Sequence, residues 1–272
     1  MTLNPSCALI ISTYNNPKAL AKILDSLVVG TQQPDEVLIA DDGSSELTKS
    51  VIENHLLNKQ LGLKHVWHED RGFRKSKILN QGIKKSSADY IVFLDGDCIP
   101  EKRFITDHLT FAEKGFFIQG RRAFIDRSSV HSFIDNKNSL MRLFFTGKIH
   151  GGFKAIRWPI PYIAIDKGHR GLIGCNLSIW RNDLLLVNGF DEEYEGWGGE
   201  DSDLCVRLYN NRIRRKMIYG RSRVYHLNHE EEDKSQAQER FKRLDKTIKE
   251  KKRVCIRGLT NKGPENSYHA DK

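Results

Sequence analysis

Along the first hundred residues, short apolar runs alternate with segments whose apolar residues recur at helical spacing. Ala8-Leu9-Ile10-Ile11 predicts a buried strand, and Pro17 opens a helix with Leu20, Ile23, Leu24 and Leu27 along one face. Val37–Ala40 predicts a second strand, with a helix following from Leu47 to about Leu57. Leu63–Trp67 reads as a third strand, Lys75–Lys85 as a helix and Tyr90–Leu94 as a fourth strand. This alternation implies an α/β fold with a mostly parallel sheet covered by helices. Ligands of such sheets bind beyond the carboxyl ends of the strands. The polar residues just after each run are therefore the first candidates for chemistry: Ser12 to Asn15, Asp41-Asp42, Glu69 to Arg71, and Asp95-Gly96-Asp97.

After Phe117 the pattern loosens. Gly147–Gly174 holds Trp158, Pro159 and Pro161 with little periodicity, which predicts a long surface segment rather than another βα unit. Regularity returns at Asn176–Trp180, with helices near Arg181–Val187 and from Asp201 to about Asn210. Between Arg240 and Arg257 nine basic residues face two acidic ones, and Phe241, Leu244 and Ile248 keep helical spacing. No internal repeat is visible.

A length of 272 residues can bury a substantial core, and 39% hydrophobic with 29% charged residues is ordinary for a folded soluble domain. No apolar run approaches the roughly 20 residues that span a bilayer. Met1–Ser6 lacks the charged and apolar regions of a signal peptide, so an intracellular, cytoplasmic location is expected. The five cysteines, Cys7, Cys98, Cys175, Cys205 and Cys255, are scattered without CxxC spacing, which points to neither a disulfide framework nor a zinc site. A net charge of +9 favours an anionic partner: nucleic acid, a phosphorylated small molecule or an acidic membrane surface.

Asp95-Gly96-Asp97 follows a buried strand, and two carboxylates there suit Mg²⁺ or Mn²⁺, either of which can clamp a diphosphate. A turn or cap is the simpler alternative for such a triplet. Asp41-Asp42-Gly43-Ser44 makes a good turn and helix cap, while Asp42 is also placed to bond a base or ribose. Glu195-Gly196-Trp197-Gly198-Gly199-Glu200-Asp201-Ser202-Asp203 sets a glycine-flanked tryptophan before an acidic helix start. The helix dipole accounts for part of that acidity. A mobile loop carrying an aromatic ring over a sugar, followed by a carboxylate base, accounts for the glycines as well. His226-Leu227-Asn228-His229 offers two imidazoles that could join a carboxylate-held metal, a mixture suited to Mn²⁺; zinc is the rival, without convincing further ligands nearby.

Taken together, the motifs resemble a family 2 glycosyltransferase of GT-A fold, with a Rossmann-like, mixed, mostly parallel sheet. Ile11 to Asn15, Ala40 to Ser44 and Leu94 to Asp97 carry that likeness in the N-terminal half. Phe73 to Asn80, Gly174 to Asn176, Asn188 to Asp191 and Gly196 to Asp201 resemble the beta-1,4-galactosyltransferases and bacterial chondroitin-polymerase type domains. The resemblance implies that Ser12, Tyr14, Asp42 and Lys75 contact uridine, with Asp95 near the ribose. It implies Asp97 as holder of Mn²⁺ (or Mg²⁺) on the diphosphate, and His226 and His229 as further metal ligands. Galactosyltransferases commonly carry Met and His at that spacing, so His226 is a departure. Trp197 would cover the sugars, Asp201 would be the catalytic base, and Glu200 would position hydroxyls.

The expected activity is inverting, metal-dependent transfer of a hexose or N-acetylhexosamine from a UDP-sugar to a glycan or lipid-linked glycan, in bacterial surface polysaccharide or lipopolysaccharide synthesis. Residues 1–120 would form the nucleotide-sugar-binding half, 121–230 the acceptor-binding and catalytic half of one domain, and 231–272 a basic helix and tail. Peripheral attachment to the inner membrane face through 240–257 is a further expectation. Nucleotidyl transfer and nucleic-acid binding are the alternatives. The first lacks a glycine-rich basic phosphate loop after the first strand, and the second lacks aromatics among the basic residues beyond Phe241.

Overall fold

The computed structural model describes residues 5–166, 168–169, 171–229 and 237–261. The first residues of the Met1–Ser6 segment, and 231–236 and 262–272 of the C-terminal region, lie outside the described residues. The chain opens with β1 (Cys7–Thr13), α1 (Pro17–Val28), β2 (Glu36–Asp41), α2 (Glu46–Asn54), α3 (Leu56–Leu61), β3 (Lys64–Trp67), α4 (Lys75–Lys85) and β4 (Tyr90–Asp95). The expected helix from Leu47 to Leu57 is thus two helices, because His55 is extended and ends the first. It continues with β5 (Cys98–Pro100), α5 (Phe104–Thr110), β6 (Phe116–Gln119), β7 (Arg121–Ile125), α6 (Arg127–Ile134), α7 (Leu140–Phe145), β8 (Ile149–His150), a 3₁₀ turn (Gly152–Ala155) and β9 (Tyr162–Asp166). The rest is β10 (Asn176–Trp180), α8 (Arg181–Leu186), α9 (Glu200–Asn210), β11 (Arg214–Tyr219), β12 (Arg223–Leu227) and α10 (Ala237–Lys249).

Eight strands form the main sheet in the order β3-β2-β1-β4-β10-β6-β11-β9, and β5-β12-β7-β8 form a smaller second sheet. The first four main-sheet strands are parallel, as the βα alternation predicts; β10 then enters antiparallel, and β9 closes the far edge antiparallel to β11. Alternation along the central strands divides the core. Leu9, Ile11, Val37, Ile39, Val92 and Leu94 pack beneath α1 and α5, while Ala8, Ile10, Leu38, Ile91 and Phe93 pack beneath α4 and α9. Strands buried on both faces need such continuous apolar runs.

The chain moves from β1 outward to β3, then crosses back to lay β4 on the other side of β1. That reversal opens a crevice between the ends of β1 and β4. Register sets Ser12 beside Asp95 and Thr13 beside Asp41, so the polar residues after three strands stand in one row.

One expectation about the second half needs correction. Gly147–Gly174 contains β8, the 3₁₀ turn and β9, and β9 extends the main sheet. Its period is hard to see because an edge strand leaves Ile163 and Ile165 exposed. Within the basic run 240–257, α10 extends to Lys249, before the positive φ of Lys251. It packs on α9 with Arg240 and Thr247 buried, Leu244 and Ile248 half-buried, and Lys242, Lys246 and Lys249 outward. All five cysteines are buried free thiols, and among the described residues no helix is long and apolar enough to cross a membrane.

Candidate active site

Four charged side chains meet in the crevice between β1 and β4. Asp95, at the end of β4, accepts a hydrogen bond from Ser12 Oγ at 3.0 Å and lies 2.8 Å from Lys75 Nζ. Lys75, the first residue of α4, also stands 3.7 Å from Glu200 Oε1 and 3.6 Å from Asp201 Oδ2 at the start of α9. The sequence elements that bring them together are far apart, but each ends at the same rim. Burial opposes the charge on Lys75, yet the three carboxylates outweigh it and hold its pKa well above the usual lysine value. Asp201 is pushed up to about 7, first by burial and further by the Glu200 and Asp95 charges, with Lys75 opposing. A carboxylate poised there can exchange a proton near neutral pH.

Two glycines make room for this cluster. A side-chain carbon on Gly174 would lie 1.9 Å from the Asp201 carboxyl carbon, and one on Gly96 would lie 2.4 Å from the Ser12 carbonyl oxygen. Gly96 therefore lets Asp95 and Asp97 follow β4 while pressed against β1. Asp203, two residues beyond Asp201, serves a different purpose. It is buried, paired with Arg207 at 2.7 Å and hydrogen-bonded by Thr247 at 2.7 Å, which ties α10 to α9.

Asp97 belongs to a second cluster at the junction of the two sheets. β12 pairs antiparallel with β5, setting His226 opposite Cys98, the residue after Asp97. His226 Nε2 and His229 Nε2 each lie 3.0 Å from Asp97 Oδ2. Burial would raise the Asp97 pKa, but the two imidazoles overcome it and hold the carboxyl well below its usual range. One ligand atom from each of the three residues lies within 4.8 Å of the others, close enough for a single cation to touch all of them. One carboxylate and two imidazoles form a donor set that Mn²⁺ accepts, so the residues fit the expected metal.

The nucleoside candidates occupy the row at the ends of β1 and β2. Asp41 is fully buried and structural: its oxygens accept from Ser44 N at 2.8 Å and face His65 Nε2 at 2.9 Å. Asp42 accepts from Arg74 N at 2.8 Å and lies 2.6 Å from His68 Nε2; burial raises its pKa, and these partners offset only part of the rise. Tyr14 is exposed, its hydroxyl 2.9 Å from Asp70. Lys75, expected at the uridine, directs its ammonium into the carboxylate cluster instead of toward Asp42.

Trp197 is partly exposed on the loop before α9, where Gly196, Gly198 and Gly199 take φ values of 86°, 103° and 98°. Those left-handed conformations require glycine, which explains the bracketing residues by backbone geometry. The loop is tethered as well. Gly196 N donates to Phe73 O at 2.9 Å, and Arg240 of α10 donates to the carbonyls of Trp197 at 2.8 Å and Glu195 at 3.0 Å. Arg240, His65 and His68 were invisible as site-supporting residues in the sequence. His65 lies within β3 and His68 just after it, positions that become informative only once β3 is known to pair with β2.

Residues 8–165 match the family Glycosyl transferase family 2, and 157–230 match the N-terminal domain of galactosyltransferase. The chain is similar to the Escherichia coli chondroitin synthase, 26% identical over 239 residues, covering 80% of this chain and 34% of that protein. It therefore spans about a third of that relative's length. In fold it is similar to S. aureus TarS 1-349 in complex with UDP, with a TM-score of 0.65, 17% identity and coverage of 90% of this chain and 65% of that one. The mannosyltransferase PcManGT from Pyrobaculum calidifontis, in complex with GDP-Man and Mn2+, superposes with a TM-score of 0.56 at 17% identity, covering 83% and 57% of the two chains. The fold is the GT-A type expected from the motifs.

Proposed function

The chain belongs to glycosyltransferase family 2, and from that premise we propose that it moves a hexose or N-acetylhexosamine from a UDP-sugar to a glycan hydroxyl with inversion at the anomeric carbon. The observation that carries this reading is the meeting of Asp201 with Lys75 and Asp95 at the mouth of the β1–β4 crevice. Asp201 accepts the proton of the acceptor hydroxyl while that oxygen attacks the anomeric carbon. The bond to the nucleoside diphosphate breaks as the new one forms, and its electron pair leaves with UDP. Lys75 counters burial and the Glu200 and Asp95 charges enough to leave Asp201 at about 7, where a substantial share of it is ionised near neutral pH, and Glu200 orients a sugar hydroxyl beside it.

Ser12, Tyr14 and Asp42 line the row at which the nucleoside would lie, and the partly exposed Trp197, on the loop that leads into α9, would cover the sugars. Asp97, His226 and His229 would hold Mn²⁺ or Mg²⁺. Such an ion, when bound, offsets the negative charge that grows on the departing diphosphate. A UDP complex of one structural neighbour and a Mn2+ complex of another support the donor and metal assignments. Similarity to a chondroitin synthase supports a role in bacterial polysaccharide or lipopolysaccharide synthesis, on a glycan or lipid-linked acceptor. Peripheral membrane contact through 240–257 is supported by the outward Lys242, Lys246 and Lys249 and the exposed Phe241, while Leu244 and Ile248 are half-buried.

The test is a screen of UDP-galactose, UDP-N-acetylgalactosamine, UDP-glucose and UDP-N-acetylglucosamine for UDP release, with Mn²⁺ and with EDTA. Metal-dependent release from at least one donor is expected. No release from any of them, with or without metal, contradicts the reading.

A further inference from the structure

Beside the carboxylate cluster lies a cavity of about 360 Å³, within the usual range for ligand sites of about 300–1,000 Å³. Its walls come from β6, β7, β9, β11 and the segment before Gly174, and its charged lining is Arg121, Arg122, Lys154, Asp166 and Arg215. It adjoins the site. Arg122 Nη1 lies 3.7 Å from the Cys175 sulfur, next to the glycine that touches Asp201, and Arg122 stacks on Phe124, whose ring is 5.3 Å from that of His226.

The charge in this cavity is unbalanced. Arg215 is buried but neutralised by Asp166 and further held by Gln119 and Gly171. Arg121 and Arg122 form no ion pair among the described residues. Arg121 lies over the Tyr219 ring at 4.4 Å, and its Nε is buried without a hydrogen-bond partner. Lys154 is exposed at the rim. Asp97 lies near enough to favour the charge on Arg122, but neither guanidinium is paired with a carboxylate, and half-buried guanidinium groups left unpaired are favoured by a bound anion that completes them. The planar guanidinium fork suits carboxylate and phosphate alike.

We propose that this cavity is an acceptor subsite for a negatively charged sugar unit, one bearing a carboxylate or a phosphate ester, held by Arg121, Arg122 and Lys154. The inference rests on the glycosyltransfer reading, because it places the unit next to the attacking hydroxyl rather than in the donor row. It also gives part of the chain's net charge of +9 a specific purpose.

The test uses the full chain saturated with UDP and Mn²⁺, so that the donor site is occupied. Three probes are titrated: methyl β-glucuronide, glucose 6-phosphate and methyl β-glucoside. The charged probes should bind about tenfold or more tightly than the neutral one, as charge-assisted hydrogen bonds imply. The tighter of the two charged probes identifies carboxylate or phosphate as the natural anion. Arg121→Gln with Arg122→Gln should erase the preference, and Lys154→Glu, at an exposed site that leaves folding intact, should weaken or reverse it. Equal binding of all three probes overturns the proposal, as does a preference that survives these substitutions. UDP binding separates the two levels. A protein that binds UDP without preferring charged probes loses only the acceptor inference, and one that fails to bind UDP loses the glycosyltransfer reading with it.

Discussion

The Lys75 ammonium lies 3.6 Å from the Asp201 carboxylate and 2.8 Å from Asp95. One cation thus joins the end of a central parallel strand, at Asp95, to the start of α9, at Glu200, two elements roughly a hundred residues apart in the chain. Strand β10, inserted antiparallel between β4 and β6, is what brings the second half of the chain against the first.

Removal of that cation should shift the base. With Lys75→Met, the charge that lowers the Asp201 pKa is lost while burial and the Glu200 and Asp95 charges remain. Turnover at pH 7 should fall on the order of 10²-fold, and part of it should return at higher pH. The check is a pH–rate profile of UDP release: the rising limb, expected near pH 7 in the unsubstituted protein, should move upward. An unmoved limb would remove Lys75 from control of the base.

Asp201 should also leave a mark on stability. Its folded pKa of about 7 stands above the ordinary carboxylate value of 3.8, so the folded state binds this proton more tightly than the unfolded chain. The resulting stabilisation is complete below about pH 4 and is lost as pH rises through about 7. Asp201→Asn, neutral at every pH, should therefore be more stable than the unsubstituted protein at pH 8 and should lose that advantage by pH 4. Urea unfolding at the two pH values measures it, and a constant difference would contradict the assignment.

Gly174→Ala tests close approach. The added methyl carbon would overlap the Asp201 carboxyl group, and a displacement near 1 Å can cost about 10²-fold in rate. UDP affinity should stay within a few-fold, since the nucleoside row is elsewhere. Titration with UDP beside the rate of UDP release separates the two effects, and full activity would show that Asp201 has room to move.

Metal affinity should depend on all three residues of the second cluster. Asp97→Asn, His226→Ala and His229→Ala should each weaken Mn²⁺ binding at least about tenfold in calorimetric titration. An affinity unchanged in all three would place the ion elsewhere.

The first half of the fold was legible because β1, β2 and β4 are buried on both faces and read as plain apolar runs ending in polar residues. Asp95-Gly96-Asp97 could be singled out for the same reason. β11 and β12 were hidden because Arg215, Lys216 and Arg223 are buried within them, neutralised by Asp166, Glu113 and Glu101 from distant segments. No local pattern reports such pairs. His226 and His229 were visible as a motif, but their convergence on Asp97 depends on the β5–β12 register. The tether from Arg240 to the Trp197 loop depends likewise on the packing of α10 against α9.

The most direct measurement is the anomeric configuration of the sugar first released when the protein hydrolyses its UDP-sugar donor, read by proton NMR before mutarotation. Water then takes the acceptor's place, and Asp201 activates it from the face opposite UDP. Such donors carry the sugar in α linkage, so a single in-line displacement releases the β anomer first, and Asp201→Asn should slow its appearance by orders of magnitude. Release of the α anomer, or an unchanged rate in Asp201→Asn, would contradict inverting transfer with Asp201 as the base.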